Sequence, residues 1–528
     1  MNKIGLDFGT TNSTLSYIDP DRKVLDCYHM RGLSSTPYIP SFLRYEIEDQ
    51  SVEIGWAARQ SQDDSDYEVY SAFKMLLAEK NAQRLENFGY MEKRPGDCAR
   101  SYLQKIIENY CKEKNVSQIQ QMVITVPEIW IKEHNHASRE CLKRICNELK
   151  LPVKKFISEP VAASAYFVHR FHEKHKQWFN GHVMVCDYGG GTLDISLAFV
   201  EGERIKVLEC TGKGHDQVHL GNAGQAFDEA CLKQVYDREK QQKLSRADHQ
   251  FAVLMTDFEQ KKIAHQSDIE KLLAKYIKNN SLNKKKIFQI DHMPVFPSDM
   301  VNAFDDVIRP SLESALAEMK TFMNHHGVDH TNPENFRVVM AGGFSNFYLV
   351  RQVISQFFDE TEDKLLDIED TALAIAKGAA LIANDRIDID LTCPISVGIV
   401  VKRLQRDKLN RMIPKEMDEC ILKKGKRLSE YHAPVFSDGL SVSKDPAKRV
   451  TPLLIFLGDP PKRWHFPLEK GLHELLPNIG EENNHWQIGF SVTQDFLFYL
   501  HARDKNDKEK VTALGDLLAR VSGVFHKP

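Results

Sequence analysis

The chain has 528 residues, 42% of them hydrophobic and 27% charged, with a formal net charge of −4. Its length calls for two to four core-bearing units, and the near-neutral charge argues against nucleic acid or an anionic membrane surface as the main partner. No apolar run approaches the ~20 residues of a membrane span, and the N-terminus runs straight into a predicted strand with no room for a leader. Ten cysteines without a Cys-x-x-Cys pair read as reduced structural thiols of a cytoplasmic protein.

The first predicted element is an apolar strand that reaches an acid and turns: Ile4-Gly5-Leu6-Asp7-Phe8-Gly9-Thr10-Thr11-Asn12, resuming as a strand through Leu15 and Tyr17. One helix face follows at Leu103, Ile106, Ile107 and Tyr110, then a buried-type strand at Met122–Val126, then a second helix face at Cys141, Ile145 and Leu149. The first turn is then repeated in design: Val185-Cys186-Asp187-Tyr188-Gly189-Gly190-Gly191-Thr192-Leu193-Asp194, resuming through Ile195 and Leu197. The charged segment 237–286 has helical period and reads as an insertion. A helical run from Phe304 to Met319 is expected to kink at Pro310, and Arg337–Ala341 reads as a further buried strand.

This alternation predicts α/β architecture up to residue 386. Beyond it, Ile387, Ile389 and Leu391 alternate with Asp388 and Asp390, which suits an edge strand docking by one face. Strand signals then dominate, at 396–401, 434–436, 451–456 and 487–500, and the polar end of the chain carries at most one short helix at 511–521. The expected plan is a domain at 1–386 with a helical insert at about 225–306, a linker at 387–393, a β-rich domain at 394–505 and a tail at 506–528.

Glycine lacks a Cβ, so each turn brings backbone N–H groups close to a phosphate. The Asp can hold a metal-bound water, and the threonines add hydroxyl donors. One such turn is a common hairpin; two of related design predict a duplicated nucleotide clamp.

The two turns and the segments around them resemble the DnaK-like heat shock protein 70 family of the actin-like ATPase superfamily. Further resemblance lies in Ile124-Thr125-Val126-Pro127, in Ser158-Glu159-Pro160-Val161-Ala162-Ala163, and in Gly224 with Phe227-Asp228. Ala341-Gly342-Gly343-Phe344-Ser345, Ala376-Lys377-Gly378-Ala379-Ala380 and Pro394-Ile395-Ser396-Val397-Gly398-Ile399 extend it. The resemblance implies a duplicated actin-like (ribonuclease H-like) ATPase domain in two lobes, followed by a smaller all-β sandwich-like domain. It implies ATP or ADP with Mg²⁺, the metal held through water by Asp7 and Asp187. Thr10, Thr11 and Asn12 beside Gly9, and Gly189, Gly190, Gly191 and Thr192, would hold phosphate. Gly224 would close the phosphate end; Glu259 and Lys262 would reach the ribose, and Gly342, Gly343 and Phe344 the adenosine. Lys74, Glu159, Asp194 and Asp187 would carry hydrolysis, and Pro127 with Arg139 would pass nucleotide state onward.

The chain also departs from the pattern. Arginines usually flank the adenine, whereas Ile263 and Asn346 stand here, and Phe344 replaces a small polar residue, either stacking on a purine or filling space. About four extra residues at 132–135 separate Pro127 from Arg139, and Trp130 replaces a smaller aromatic. The sequence ends 23 residues after Lys505, where the family continues into a helical lid, so a lidless groove with fast exchange is expected. Ile399, Val401, Val435 and Phe436 are groove candidates with sandwich core as the alternative. His134 with His136, and His325, His326 and His330, lack metal-site spacing and read as loop residues; Lys284-Lys285-Lys286 reads as a solvated face.

The leading expectation is a slow ATPase chaperone that binds unfolded or extended polypeptide, with co-chaperones as further partners. A nucleotide-sensing module holding one dedicated protein partner, and a small-molecule kinase of the same superfamily, stay open.

Overall fold

Both turns sit at the ends of hairpins whose apolar residues oppose one another. In the first, Ile4 lies opposite Tyr17 and Leu6 opposite Leu15; in the second, Met184 lies opposite Leu197 and Cys186 opposite Ile195, and all eight side chains are buried. The computed structural model describes residues 2–31, 36–62, 64–128, 130, 136–213, 223–246, 248, 250–279, 285–358, 366–367, 370–406, 410–441, 452–459, 462–475, 485–494 and 496–517. They divide into two units, Met1–Ile389 and Asp390–Pro528.

The first unit holds two central sheets of matching topology. One runs Leu25–Cys27, Asn12–Ile18, Lys3–Asp7, Gln121–Val126, Val153–Ser158; the other runs Arg204–Lys213, Leu193–Glu201, Asn180–Tyr188, Phe336–Ala341, Leu366–Asp367. In each, the first three strands are antiparallel and the last two join in parallel, so the duplication suggested by the two turns extends to whole sheets. Asp388–Asp390 adds an edge strand beside Arg204–Lys213, with Ile387 and Ile389 buried and the Asp388 N–H donating to the Glu203 carbonyl at 3.0 Å.

Two helices cross between the sheets. Glu159–His175 follows the last strand of the first sheet yet packs on the second; Ala374–Ala383 follows the last strand of the second yet packs on the first. Small residues allow the crossing: Ala162, Ala163, Ala376, Ala379 and Ala380 are buried, and a Cβ on Gly378 would lie 1.7 Å from the Ala162 carbonyl oxygen. The Glu159 helix starts at Ser158 without a cap hydrogen bond from that side chain.

The insert comprises helices Gly224–Lys240, Phe251–Ala264 and Gln266–Lys278 and a small hairpin, sharing one apolar core with the second sheet. Farther on, a π-helical turn at Phe304–Ile308 joins the helices Pro297–Ala303 and Arg309–His325, and it immediately precedes Pro310, the position of the expected kink. Among the described residues no helix is long and apolar enough to cross a membrane, and all ten cysteines are free.

The second unit is a β-sandwich region of two antiparallel sheets. One orders Met412–Leu422, Val397–Arg406, Pro452–Asp459, Lys462–Gly471; the other orders Val435–Phe436, His485–Val492, Leu497–Asp504, Glu509–Asp516, with Leu440–Ser441 also pairing with His485–Val492. Val397, Ile399, Ile455, Trp486, Phe490 and Leu500 are buried. Glu509–Asp516 is thus a strand, against the short helix expected at 511–521, whose last residues lie outside the described ones. Ile399 and Val401 are core residues, while Val435 and Phe436 are half-buried. Ser491, His501 and Glu509 form a hydrogen-bonded chain across three strands, His501 Nε2 meeting Ser491 Oγ at 2.7 Å and Nδ1 meeting Glu509 Oε1 at 2.6 Å.

Candidate functional site

The two glycine-threonine turns interlock. A Cβ on Gly190 would lie 2.2 Å from Thr11 Oγ1, and one on Gly191 2.6 Å from Thr10 Oγ1, so the hydroxyls of one turn occupy the space left by the glycines of the other. Each turn is fixed from behind. Ser41 Oγ donates to the Gly9 carbonyl at 2.7 Å, while the N–H groups of Gly224 and Gln225 donate to the carbonyls of Gly189 and Gly190 at 3.1 and 2.8 Å. The latter contacts set the N-terminus of the Gly224–Lys240 helix, its positive end, against the second turn.

Beneath the turns the acids converge. Glu159, Asp187 and Asp194, all buried, each offer an oxygen within 4.8 Å of the others. Lys74 Nζ donates to Glu159 Oε1 at 2.5 Å, with the rings of Phe8 and Trp130 6.0 and 5.9 Å away. The lysine lies on a run of turns and is 2% exposed, so it is not a solvated helix residue. Thr125 Oγ1 donates to Asp7 Oδ1 at 3.1 Å, and the Glu128 N–H donates to Asp194 Oδ1 at 2.8 Å. Neither residue was given a role from sequence: the Thr125 contact depends on the parallel pairing of strands more than a hundred residues apart, and the Glu128 contact joins segments of two different sheets.

Burial, then the charge of Glu159, pushes the Asp7 carboxyl up to about 7, and the same two causes push Asp187 and Asp194 well above the usual range. Both carboxylate oxygens of Asp187 and Oδ2 of Asp194 are buried without a hydrogen-bond partner. Unpaired buried oxygens gathered in one place suit a hard divalent cation, which takes oxygen ligands and relieves their repulsion. The residues present therefore fit Mg²⁺. Glu159, Asp187 and Asp194 converge here, with Asp7 electrostatically coupled to Glu159 and Asp187.

A cavity of about 430 Å³ opens above these groups. Its walls include Asp7, Lys74, Glu159 and Asp187, residues Gly9–Asn12 and Gly189–Thr192, and Gly224, Glu259, Lys262, Gly342, Gly343 and Phe344. Asp194, Pro127 and Arg139 are not among them; all three are buried. Arg139 is 1% exposed, which excludes a surface-helix role, and the extra residues 132–135 with His134 lie outside the described ones. The walls also include Tyr38, Gln225, Thr371 and Ile375, which carry no sequence signal and come from loops and helix ends.

The far end of the cavity is built from internal pairs. Glu259 accepts from Arg59 at 2.5 Å, and Asn346 Nδ2 donates to Thr371 Oγ1 at 2.7 Å. Phe344 is buried between Tyr188, Phe227 and Phe347, so of the two roles open to it from sequence it fills space. Lys262 Nζ donates to both oxygens of Asp228, at 2.6 and 2.8 Å. Burial nevertheless raises Asp228 from 3.8 to about 6, the lysine opposing the shift. A raised acid binds its proton more tightly in the folded chain, so its contribution to stability is full below pH 3.8 and is lost as pH rises through about 6. Relative to Asp228→Asn, the parent protein should lose roughly 2 to 3 kcal/mol between those limits. Denaturant midpoints of both proteins across that range check this, and a pH-independent difference would refute it.

Outside the cavity, His326 lies 3.6 Å from Glu209 and edge-on to His325, and His330 packs on Phe336 and Phe358.

Residues 3–386 match the family model described as Hsp70 protein. Over 416 residues the chain is 24% identical to the "Chaperone protein DnaK" of Thermosipho melanesiensis and, equally, to that of Thermotoga maritima, covering 76% of this chain and 63% of each relative. A 29% identity over 210 residues relates it to the "Chaperone protein DnaK" of Mycoplasmoides gallisepticum, covering 40% of this chain and 32% of that one. The chain thus spans about 63% of the length of the first two relatives.

Proposed function

The chain belongs to the Hsp70 family, and from that membership we propose that it binds ATP with Mg²⁺ in the cavity of its first unit, hydrolyses it slowly, and uses nucleotide state to control polypeptide binding by its β-sandwich region. The observation that carries the reading is the convergence of two interlocked phosphate-type turns and a buried lysine on one cluster of acids. Magnesium, when bound, would neutralise phosphate charge.

Every other role falls to the chain itself. The turns at Gly9–Asn12 and Gly189–Thr192 hold phosphate oxygens through N–H and hydroxyl donors. Lys74 meets the negative charge that develops as the terminal phosphoryl group leaves. Glu159 and Asp194 orient a water and accept its proton as it forms a bond to that phosphorus; the bond to the β-phosphate oxygen breaks and ADP departs. Pro127 and Arg139, both buried, relay the change, and Asp388–Asp390 provides the exit toward the second unit. The partners are extended or unfolded polypeptides, with co-chaperones assisting exchange.

The test of coupling is the affinity of the full chain for a fluorescent extended peptide in saturating ATP and in ADP. Weaker binding or faster release in ATP is expected. Equal affinity and equal rates would remove the chaperone reading and leave a nucleotide-sensing module with one dedicated partner.

A further inference from the structure

One stretch of the cavity wall is formed by Ile263, Gln266, Glu270, Phe344, Asn346 and Tyr348. Two of its polar side chains are tied into the protein: the Asn346 NH₂ donates to Thr371, and Glu270 pairs with Arg351 at 2.9 Å. Phe344 is 6% exposed, its ring stacked on Phe347 with centroids 5.2 Å apart, so it presents little face to a ligand. Ile263 differs. It is a large aliphatic side chain on the cavity wall that stays 64% exposed, and it follows Lys262, which Asp228 holds in place. One turn farther on, Gln266 is exposed at the start of its helix.

We propose that Ile263 is the platform for the nucleobase and that the site accepts adenine and guanine nucleoside triphosphates with similar affinity; this rests on the nucleotide reading above. An aliphatic surface rewards the area of a ring system, so it favours a purine over a pyrimidine without separating the two purines. Separation would need a fixed donor or acceptor at the 6-position. Gln266 is an exposed polar group on this wall, and its amide offers an oxygen acceptor at one corner and an NH₂ donor at the other. Half a rotation suits it to the 6-amino group of adenine or the 6-oxo group of guanine. A pocket without a dedicated hydrogen-bond partner rejects a near-isostere by only about 100-fold or less, whereas one built around such a partner reaches roughly 10⁴-fold.

The test is displacement of a ribose-labelled fluorescent ATP by ATP, GTP, UTP and inorganic tripolyphosphate, each with Mg²⁺, from the parent protein and from Ile263→Ala. Ile263 is exposed, so the substitution removes no core contact. ATP and GTP should compete within about 10-fold of each other and ahead of UTP. Ile263→Ala should cut the advantage of both purine nucleotides over tripolyphosphate by about 5- to 10-fold. A preference for ATP over GTP beyond about 100-fold overturns the proposal, as does an unchanged purine advantage in the variant. Should the parent bind tripolyphosphate and no nucleotide more tightly, the base platform is refuted while the phosphate clamp stands. If neither probe nor tripolyphosphate binds, the nucleotide reading itself fails.

Discussion

Replacing Lys74 with alanine should reduce phosphate release from bound ATP by about 10²- to 10³-fold, the usual loss when a preorganised group facing developing charge is removed. Lys74 is 2% exposed, and its ammonium is the cation found among Asp7, Glu159, Asp187 and Asp194 in the described site. Because the terminal phosphoryl group gains its negative charge as it leaves, the loss should fall on the chemical step more than on nucleotide affinity. Asp187→Ala should lose turnover for a different reason. It removes two buried oxygens without protein partners, so its defect should appear as weakened Mg²⁺ dependence. Single-turnover release of labelled phosphate, run over a magnesium series, separates the two effects. A parent protein that releases phosphate no faster than either variant would remove the ATPase claim. Lys74→Ala also leaves Glu159 buried without its counter-charge, which costs roughly 3 to 5 kcal/mol when a buried pair is broken. A thermal melt beside the kinetics therefore guards against reading unfolding as lost chemistry.

Gly378→Ala should destabilise the first unit by about 3 kcal/mol or more, at the upper end of overpacking in a filled core. A Cβ there would lie 1.7 Å from the Ala162 carbonyl oxygen and 2.6 Å from its carbon, and these backbone atoms can give way only if a helix moves. Gly5 meets the same helix from the sheet side, its Cβ position 2.2 Å from the Ala380 nitrogen, so the Ala374–Ala383 helix is held on two faces and cannot slide to relieve the clash. Denaturant titration of the variant should show a lowered midpoint with little change in slope. An unaltered midpoint would mean that the two helices do not touch in solution as they do here.

The central hairpins were legible from sequence because their strands are buried on both sides and carry runs of apolar residues ending in glycine turns. Three of the longer strands of the second unit were not: Met412–Leu422, Lys462–Gly471 and Glu509–Asp516. Each lies at the edge of its described sheet, and Pro414 and Pro467 interrupt two of them. An edge strand needs only one neighbour and meets water, so charge and proline are tolerated and the alternating signal fades. The site divides in the same way. The glycine turns are continuous in sequence and could be read directly, whereas Lys74, Glu159 and Asp194 were named only through resemblance. The role of Phe344 depended on Tyr188, Phe227 and Phe347, drawn from three separate segments, and no local pattern announces such a cluster. Arg59 with Glu259, 200 residues apart, was invisible for the same reason.

The crossing helices make the first unit an intramolecular domain swap. Each sheet has its own strands in its own order, yet the helix that follows its last strand covers the other sheet. A single half, standing alone, would expose the apolar face that its twin's helix now covers and would carry a helix with nothing to lie on. Two such halves could complete one another only by trading helices, as swapped dimers do. Fusion into one chain makes that trade permanent, so neither lobe can loosen without uncovering the core of the other.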